Sequence, residues 1–86
     1  MKYAELGRSG VRISRLSMGC GRLPKDDEQS MRLIHAAIDA GINFFETATF
    51  YCDNRCIEKT GLGIRDRRDE VMVQVKIGTE PDATAD

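Results

Sequence analysis

The sequence predicts an α/β fold in which an N-terminal β-hairpin leads into a β-α-β-α-β run. Two segments with residues recurring at helical spacing alternate with short apolar runs of strand character. That alternation implies parallel strands joined by right-handed crossovers. The third observation is a turn cluster, Gly7-Arg8-Ser9-Gly10, whose two glycines can supply positive φ and divide the first fourteen residues into two arms.

The hairpin arms are Lys2-Tyr3-Ala4-Glu5-Leu6 and Val11-Arg12-Ile13-Ser14, and Arg15-Leu16-Ser17-Met18-Gly19 reads as the next short strand. Asp26 or Asp27 can cap the first helix, and Gln29 stands three residues after Asp26 as a capping box requires. Met31, Ile34, Ala37 and Ile38 then fall on one helical face, and Gly41 marks the stop. Ile42-Asn43-Phe44-Phe45-Glu46 is a compact, nearly continuous apolar strand. A second helix, roughly residues 55–65, carries Ile57, Thr60, Gly61 and Ile64 along one face. Its Gly61 and Gly63 each cost about 1 kcal/mol relative to Ala in a helix interior. Arg67-Arg68-Asp69-Glu70 is expected to be a solvated turn before the strand Val71-Met72-Val73-Gln74-Val75-Lys76. Residues 1–78 thus form one unit, and the small, polar stretch 79–86 is expected to be a disordered tail.

The composition, 41% hydrophobic and 31% charged with a formal net charge of -1, is that of a globular chain. Lys and Arg are scattered among acids, so no nucleic-acid partner is expected. No apolar run approaches the ~20 residues of a membrane span, so no membrane partner is expected either. The N-terminus lacks the apolar core of a signal peptide, which makes a cytoplasmic, reducing setting the expectation. Three cysteines, Cys20, Cys52 and Cys56, are an odd number, and free thiols are expected. Cys52-x-x-x-Cys56 lacks the further Cys or His ligands of a tetrahedral site, so no metal is expected; a redox-active thiol pair is the alternative use. Gly19-Cys20-Gly21 lacks the third glycine of a dinucleotide fingerprint.

Specific motifs go further. Gly41-Ile42-Asn43-Phe44-Phe45-Glu46-Thr47-Ala48 with Tyr51 resembles the aldo-keto reductase signature G-I-N-F-F-D-T-A-x-x-Y. Arg67-Arg68-Asp69-Glu70-Val71 leading to Lys76 resembles the family's R-R-D-E-V-x-x-x-x-K, and the interval from Tyr51 to Lys76 fits the family without a gap. Upstream, Leu6-Gly7-Arg8-Ser9-Gly10-Val11 and Ser14-Arg15-Leu16 match its opening hairpin. Met18-Gly19-Cys20-Gly21-Arg22-Leu23-Pro24 is similar to a bacterial subgroup whose members can carry a C-terminal iron–sulfur segment.

The resemblance implies an incomplete (β/α)8 TIM barrel, comprising its first three strands and two helices. It implies reduction of aldehydes or ketones by hydride from NADP(H) or NAD(H). Tyr51 matches the proton donor, Lys76 the cation that tunes it, and Glu46 the carboxylate that fixes the Lys, where the family has Asp. Catalytic groups of such barrels sit at the C-terminal ends of strands and in the loops that follow. Lys76 shares a strand face with Met72 and Gln74, opposite the row Val71, Val73 and Val75 that would face the helices. The family's catalytic His belongs to the next strand, and its cofactor segments lie mostly in the last third of the barrel. Residues 1–86 alone are therefore expected neither to bind the cofactor nor to turn over. The alternative reading is a small non-enzymatic interaction module that associates through open sheet edges, with itself or with another half-barrel.

Overall fold

The computed structural model describes residues 1–49 and 55–77. Strands β1 (Tyr3–Glu5) and β2 (Arg12–Ser14) form an antiparallel hairpin. A second sheet has the order β3-β4-β5, from β3 (Met18–Gly19), β4 (Phe44–Ala48) and β5 (Met72–Lys76), parallel throughout. Helices α1 (Asp27–Asp39) and α2 (Cys56–Ile64) are the crossovers, and a 3-10 segment, Arg65–Glu70, leads into β5. This is the predicted hairpin plus β-α-β-α-β order, an α/β arrangement with no closed barrel. Among the described residues, no helix is long and apolar enough to cross a membrane.

Hairpin geometry follows from its glycines: Gly7 and Gly10 both adopt positive φ, at 58° and 80°. The Leu6 N–H donates to Val11 O at 2.8 Å, closing the turn. Two side chains fasten the hairpin to the sheet. The Tyr3 hydroxyl donates to Gly41 O at 2.8 Å. Asn43 accepts from the Ser14 N–H at 2.6 Å through Oδ1 and donates to Arg12 O through Nδ2. The Ser14 hydroxyl in turn accepts from the Asn43 N–H at 3.0 Å.

These contacts explain two boundaries. The strand expected at 15–19 is only two residues long, because the Arg15 N–H still donates to Lys2 O in the hairpin. β4 starts at Phe44 rather than Ile42, since the Ile42 N–H caps α1 through Ala37 O and Asn43 is held by Ser14. Gly41 turns the chain between them with φ 103°. Asp26 is the α1 cap, in extended backbone with its carboxylate accepting from the Glu28 N–H.

Alternation on β4 and β5 sorts the core from the open face. Phe45 and Thr47 are buried on the helix side, where Phe45 joins Ile34, Ile38, Ile64 and Val71. On α1, Ile34 and Ile38 are buried as predicted, with Ala37 packed against them. α2 departs from expectation. Its buried residues are Cys56, Lys59, Thr60, Gly63 and Ile64, while Ile57 is exposed. The stripe is thus rotated, because a lysine and a glycine occupy inward positions that an apolar count passes over. The segment expected as a solvated turn is the 3-10 helix, in which half-buried Arg67 bonds both Glu70 and Asp39.

Gly63 is there for close approach. A Cβ at that position would lie 2.5 Å from Ile34 Cδ1 and 2.9 Å from Ile34 Cβ, in the α1–α2 contact. Gly61 has nothing within 4 Å and is exposed. Gly63→Ala is therefore expected to destabilise by about 1–3 kcal/mol through overpacking. Gly61→Ala should stabilise by up to about 1 kcal/mol through helix propensity. Urea midpoints of opposite sign for the two variants would check this; a gain in both would contradict the packing account.

Candidate active site at the C-terminal strand ends

Two of the three site residues predicted from the sequence lie among the described residues. The β4–β5 register pairs Phe44 with Met72, Glu46 with Gln74, and Ala48 with Lys76. Glu46 and Lys76 therefore share the sheet face opposite the helices, on neighbouring strands, with their Cα positions offset by two residues along the pair. Their backbones are held by neighbours. The Cys20 N–H donates to Glu46 O at 2.7 Å, and the Thr49 N–H donates to Lys76 O at 3.2 Å. Glu46 is half-buried, while Gln74 and Lys76 are exposed. Tyr51, Cys52 and the expected tail at 79–86 lie outside the described residues.

Below this polar strip, the same face carries Phe44 and Met72, which with Leu6, Val73 and Gln74 line an open cavity of about 350 Å³. The hairpin thus stands at the N-terminal end of the strands, and Glu46 and Lys76 at the C-terminal end. Glu46 faces Gly19 on β3 and Gln74 on β5, so Gln74 is its direct neighbour in the row. Gln74 had been placed only by strand parity, with no role.

Sequence reasoning missed a charged cluster beside the strand exits. Lys59, its side chain 4% exposed, donates from Nζ to Pro24 O at 2.9 Å, Lys25 O at 2.8 Å and Asp27 Oδ1 at 2.7 Å. Arg55 Nη2 reaches the other Asp27 oxygen at 3.2 Å, and its Nε bonds Glu58. Hydrogen bonds from Lys59 and then Arg55 hold the Asp27 carboxyl below the usual carboxylate range. Arg67 does the same to Glu70. The signal available in the sequence was position: Lys59 lies three residues after Cys56 and four before Gly63, on the inward face of α2.

Those two carboxyls set an acid limit. Their folded-state values lie below the unfolded ones, so the stability they contribute is present above about pH 4 and is lost as pH falls through the folded values. The double variant Asp27→Asn with Glu70→Gln should have a flatter stability profile below about pH 4. Thermal midpoints across that range would check it, and parallel profiles for the two proteins would contradict it.

The cysteines are of two kinds. Cys20 is a free thiol with 0% exposure, raised in pKa by burial against the opposing effect of the Thr60 hydroxyl. Cys56 is fully buried and disulfide-bonded. The expectation of free thiols holds for Cys20 and fails for Cys56, because an odd count excludes complete pairing but not a single bridge.

Comparison with known proteins bears on the whole arrangement. A probable voltage-gated potassium channel subunit beta of rice is 40% identical over 83 residues, covering 90% of this chain and 25% of that protein. The uncharacterized oxidoreductase YqkF of Bacillus subtilis is 32% identical over 82 residues, covering 95% of this chain and 27% of that protein. Among solved structures, a Bacillus halodurans aldo-keto reductase in its holo form superposes with a TM-score of 0.85 at 27% identity, covering 100% of this chain and 29% of that one. A thermostable aldo-keto reductase in complex with the inhibitor epalrestat matches with a TM-score of 0.75 at 33% identity, covering 90% of this chain and 31% of that one. The chain thus spans between a quarter and a third of the length of these relatives. The model of the aldo/keto reductase family matches residues 15–86, and the chain belongs to that family of oxidoreductases.

Proposed function

We propose that residues 1–86 supply three positions of a carbonyl-reducing site that uses NADP(H) or NAD(H): Glu46, Tyr51 and Lys76. The register that sets Glu46 and Lys76 on one face at adjacent strand ends carries this reading. The segment bearing Tyr51 leaves β4 directly above them, after Thr49.

A nicotinamide cofactor supplies the hydride when bound. Tyr51 donates a proton to the carbonyl oxygen as charge develops there. An ordinary phenol, with a pKa near 10, gives up its proton poorly at neutral pH. The Lys76 ammonium favours the phenolate and so eases that transfer. Glu46 holds the ammonium in place, with about 1.5 Å more reach than Asp from its extra methylene. The described polar strip of Glu46, Gln74 and Lys76 is open to solvent and does not by itself wrap a dinucleotide. Residues 1–86 on their own accordingly neither hold the cofactor nor turn over, and a cytoplasmic location and aldehyde or ketone substrates belong to this same reading. In a fluorescence titration with NADPH, the 86-residue chain should show no saturable binding. A micromolar Kd would overturn that part of the proposal.

Uncovered apolar surface favours a second reading, an interaction module. Among the described residues β5 pairs only with β4, which leaves its other edge open. Leu6, Val75 and Ile77 are exposed at 45%, 41% and 88%, and the cavity between Leu6, Phe44 and Met72 is open. Such an edge pairs readily with another copy or with a separate half-barrel. Sedimentation across a hundredfold concentration range separates the outcomes: a monomer throughout would remove self-association.

A further inference from the structure

We infer that Asp27, Lys59 and Arg55 form a clamp that positions the Tyr51-bearing segment against the loop after β3. The inference rests on the reading of Tyr51 as proton donor, but the clamp itself is built wholly from described residues.

The geometry is a charge bridge between two strand exits. Residues 20–26 leave the C-terminal end of β3, and residues 49–55 leave the C-terminal end of β4. Lys59 uses its three N–H donors on the first of these loops and on the residue that follows it, at Pro24 O, Lys25 O and Asp27 Oδ1. Asp27 then reaches across to Arg55, the last residue before α2, with its second oxygen. The Ser30 hydroxyl donates to Pro24 O at 2.8 Å, which fixes that carbonyl from α1 as well. One carboxylate thereby joins the start of α1 to the start of α2.

A packing role alone does not account for these groups. A buried ammonium is costly unless fully hydrogen-bonded, and an apolar side chain of similar length would fill the same α1–α2 space without that cost. What the charges add is direction, because each Lys59 donor and each Asp27 oxygen has a separate partner. Tyr51 stands four residues before Arg55, so the clamp fixes the far end of its segment while the Thr49 N–H to Lys76 O bond fixes the near end. Asp27 and Lys59 are positioning residues, since neither touches a reacting atom.

The test is Asp27→Asn in the 86-residue chain, which keeps shape and removes the charge. Amide hydrogen exchange should quicken at least tenfold across residues 49–55 and 20–26, with the β4 and β5 amides unchanged. In the same variant the ring resonances of Tyr51 should shift, while those of Tyr3, the only other tyrosine, stay in place. Asp27→Glu, which can keep both ion pairs, should restore slow exchange and the original Tyr51 shifts. Unchanged exchange in both loops would overturn the clamp, as would faster exchange spread evenly over the chain or an Asp27→Glu variant no different from Asp27→Asn. None of these readouts depends on turnover, so the clamp can fail while the reading of Tyr51 stands.

Discussion

Phe45→Ala is expected to lower stability by about 3–5 kcal/mol, enough to unfold much of the population of so short a chain. Phe45 is fully buried at the centre of the middle strand and packs with Ile34, Ile38, Ile64 and Val71. Its removal leaves a cavity bounded by both helices and by β5, none of which can close it without moving the others. A domain of this size buries only about 60% of the surface its unfolded chain exposes, so little other core can compensate. Urea denaturation followed by circular dichroism measures the loss. A drop below about 1 kcal/mol would mean that the sheet–helix interface is not the main core.

Lys59→Ala is the second large effect, expected at about 2–4 kcal/mol from lost packing and an acceptor left short of a donor. The long aliphatic stem is buried between α2 and the loop before α1. Lys25 O loses its Lys59 donor, whereas Pro24 O keeps the Ser30 hydroxyl and Asp27 keeps Arg55. Lys59→Met separates the contributions, because it retains the stem and removes only the charge. It should cost less than Lys59→Ala in the same urea titration. Equal losses would assign the whole effect to the ammonium.

Much of this arrangement could be read from residue patterns because local signals agreed with tertiary ones. Asp26, the Met31-Ile34-Ala37-Ile38 stripe and Gly41 all point to α1, and the structure uses each in its expected role or close to it. Strand parity placed Lys76 in the Met72-Gln74-Lys76 row, and the register bears that out. What escaped was set by contacts distant in sequence. Asn43 reads as part of a strand, yet its bonds to Ser14 and Arg12 hold it outside β4. Lys59 reads as solvated, since only its three acceptors from the other end of the module make burial tolerable. Gly63 reads as a helix weakness, and only the position of Ile34 shows it to be a contact. Of the candidate site, Glu46 and Lys76 could be placed by period-two alternation, while the roles of all three residues came from the family resemblance and remain proposals.

The central claim is that these residues carry a competent part of a carbonyl reductase site. It is tested most directly by replacing the matching N-terminal portion of the Bacillus halodurans reductase with residues 1–77 of this chain and following aldehyde-dependent NADPH oxidation. The chimera should turn over, and Tyr51→Phe within it should reduce the rate by about 10²–10⁴-fold. A chimera that folds and binds NADPH but shows no turnover, or one whose rate is unchanged by Tyr51→Phe, would contradict the account.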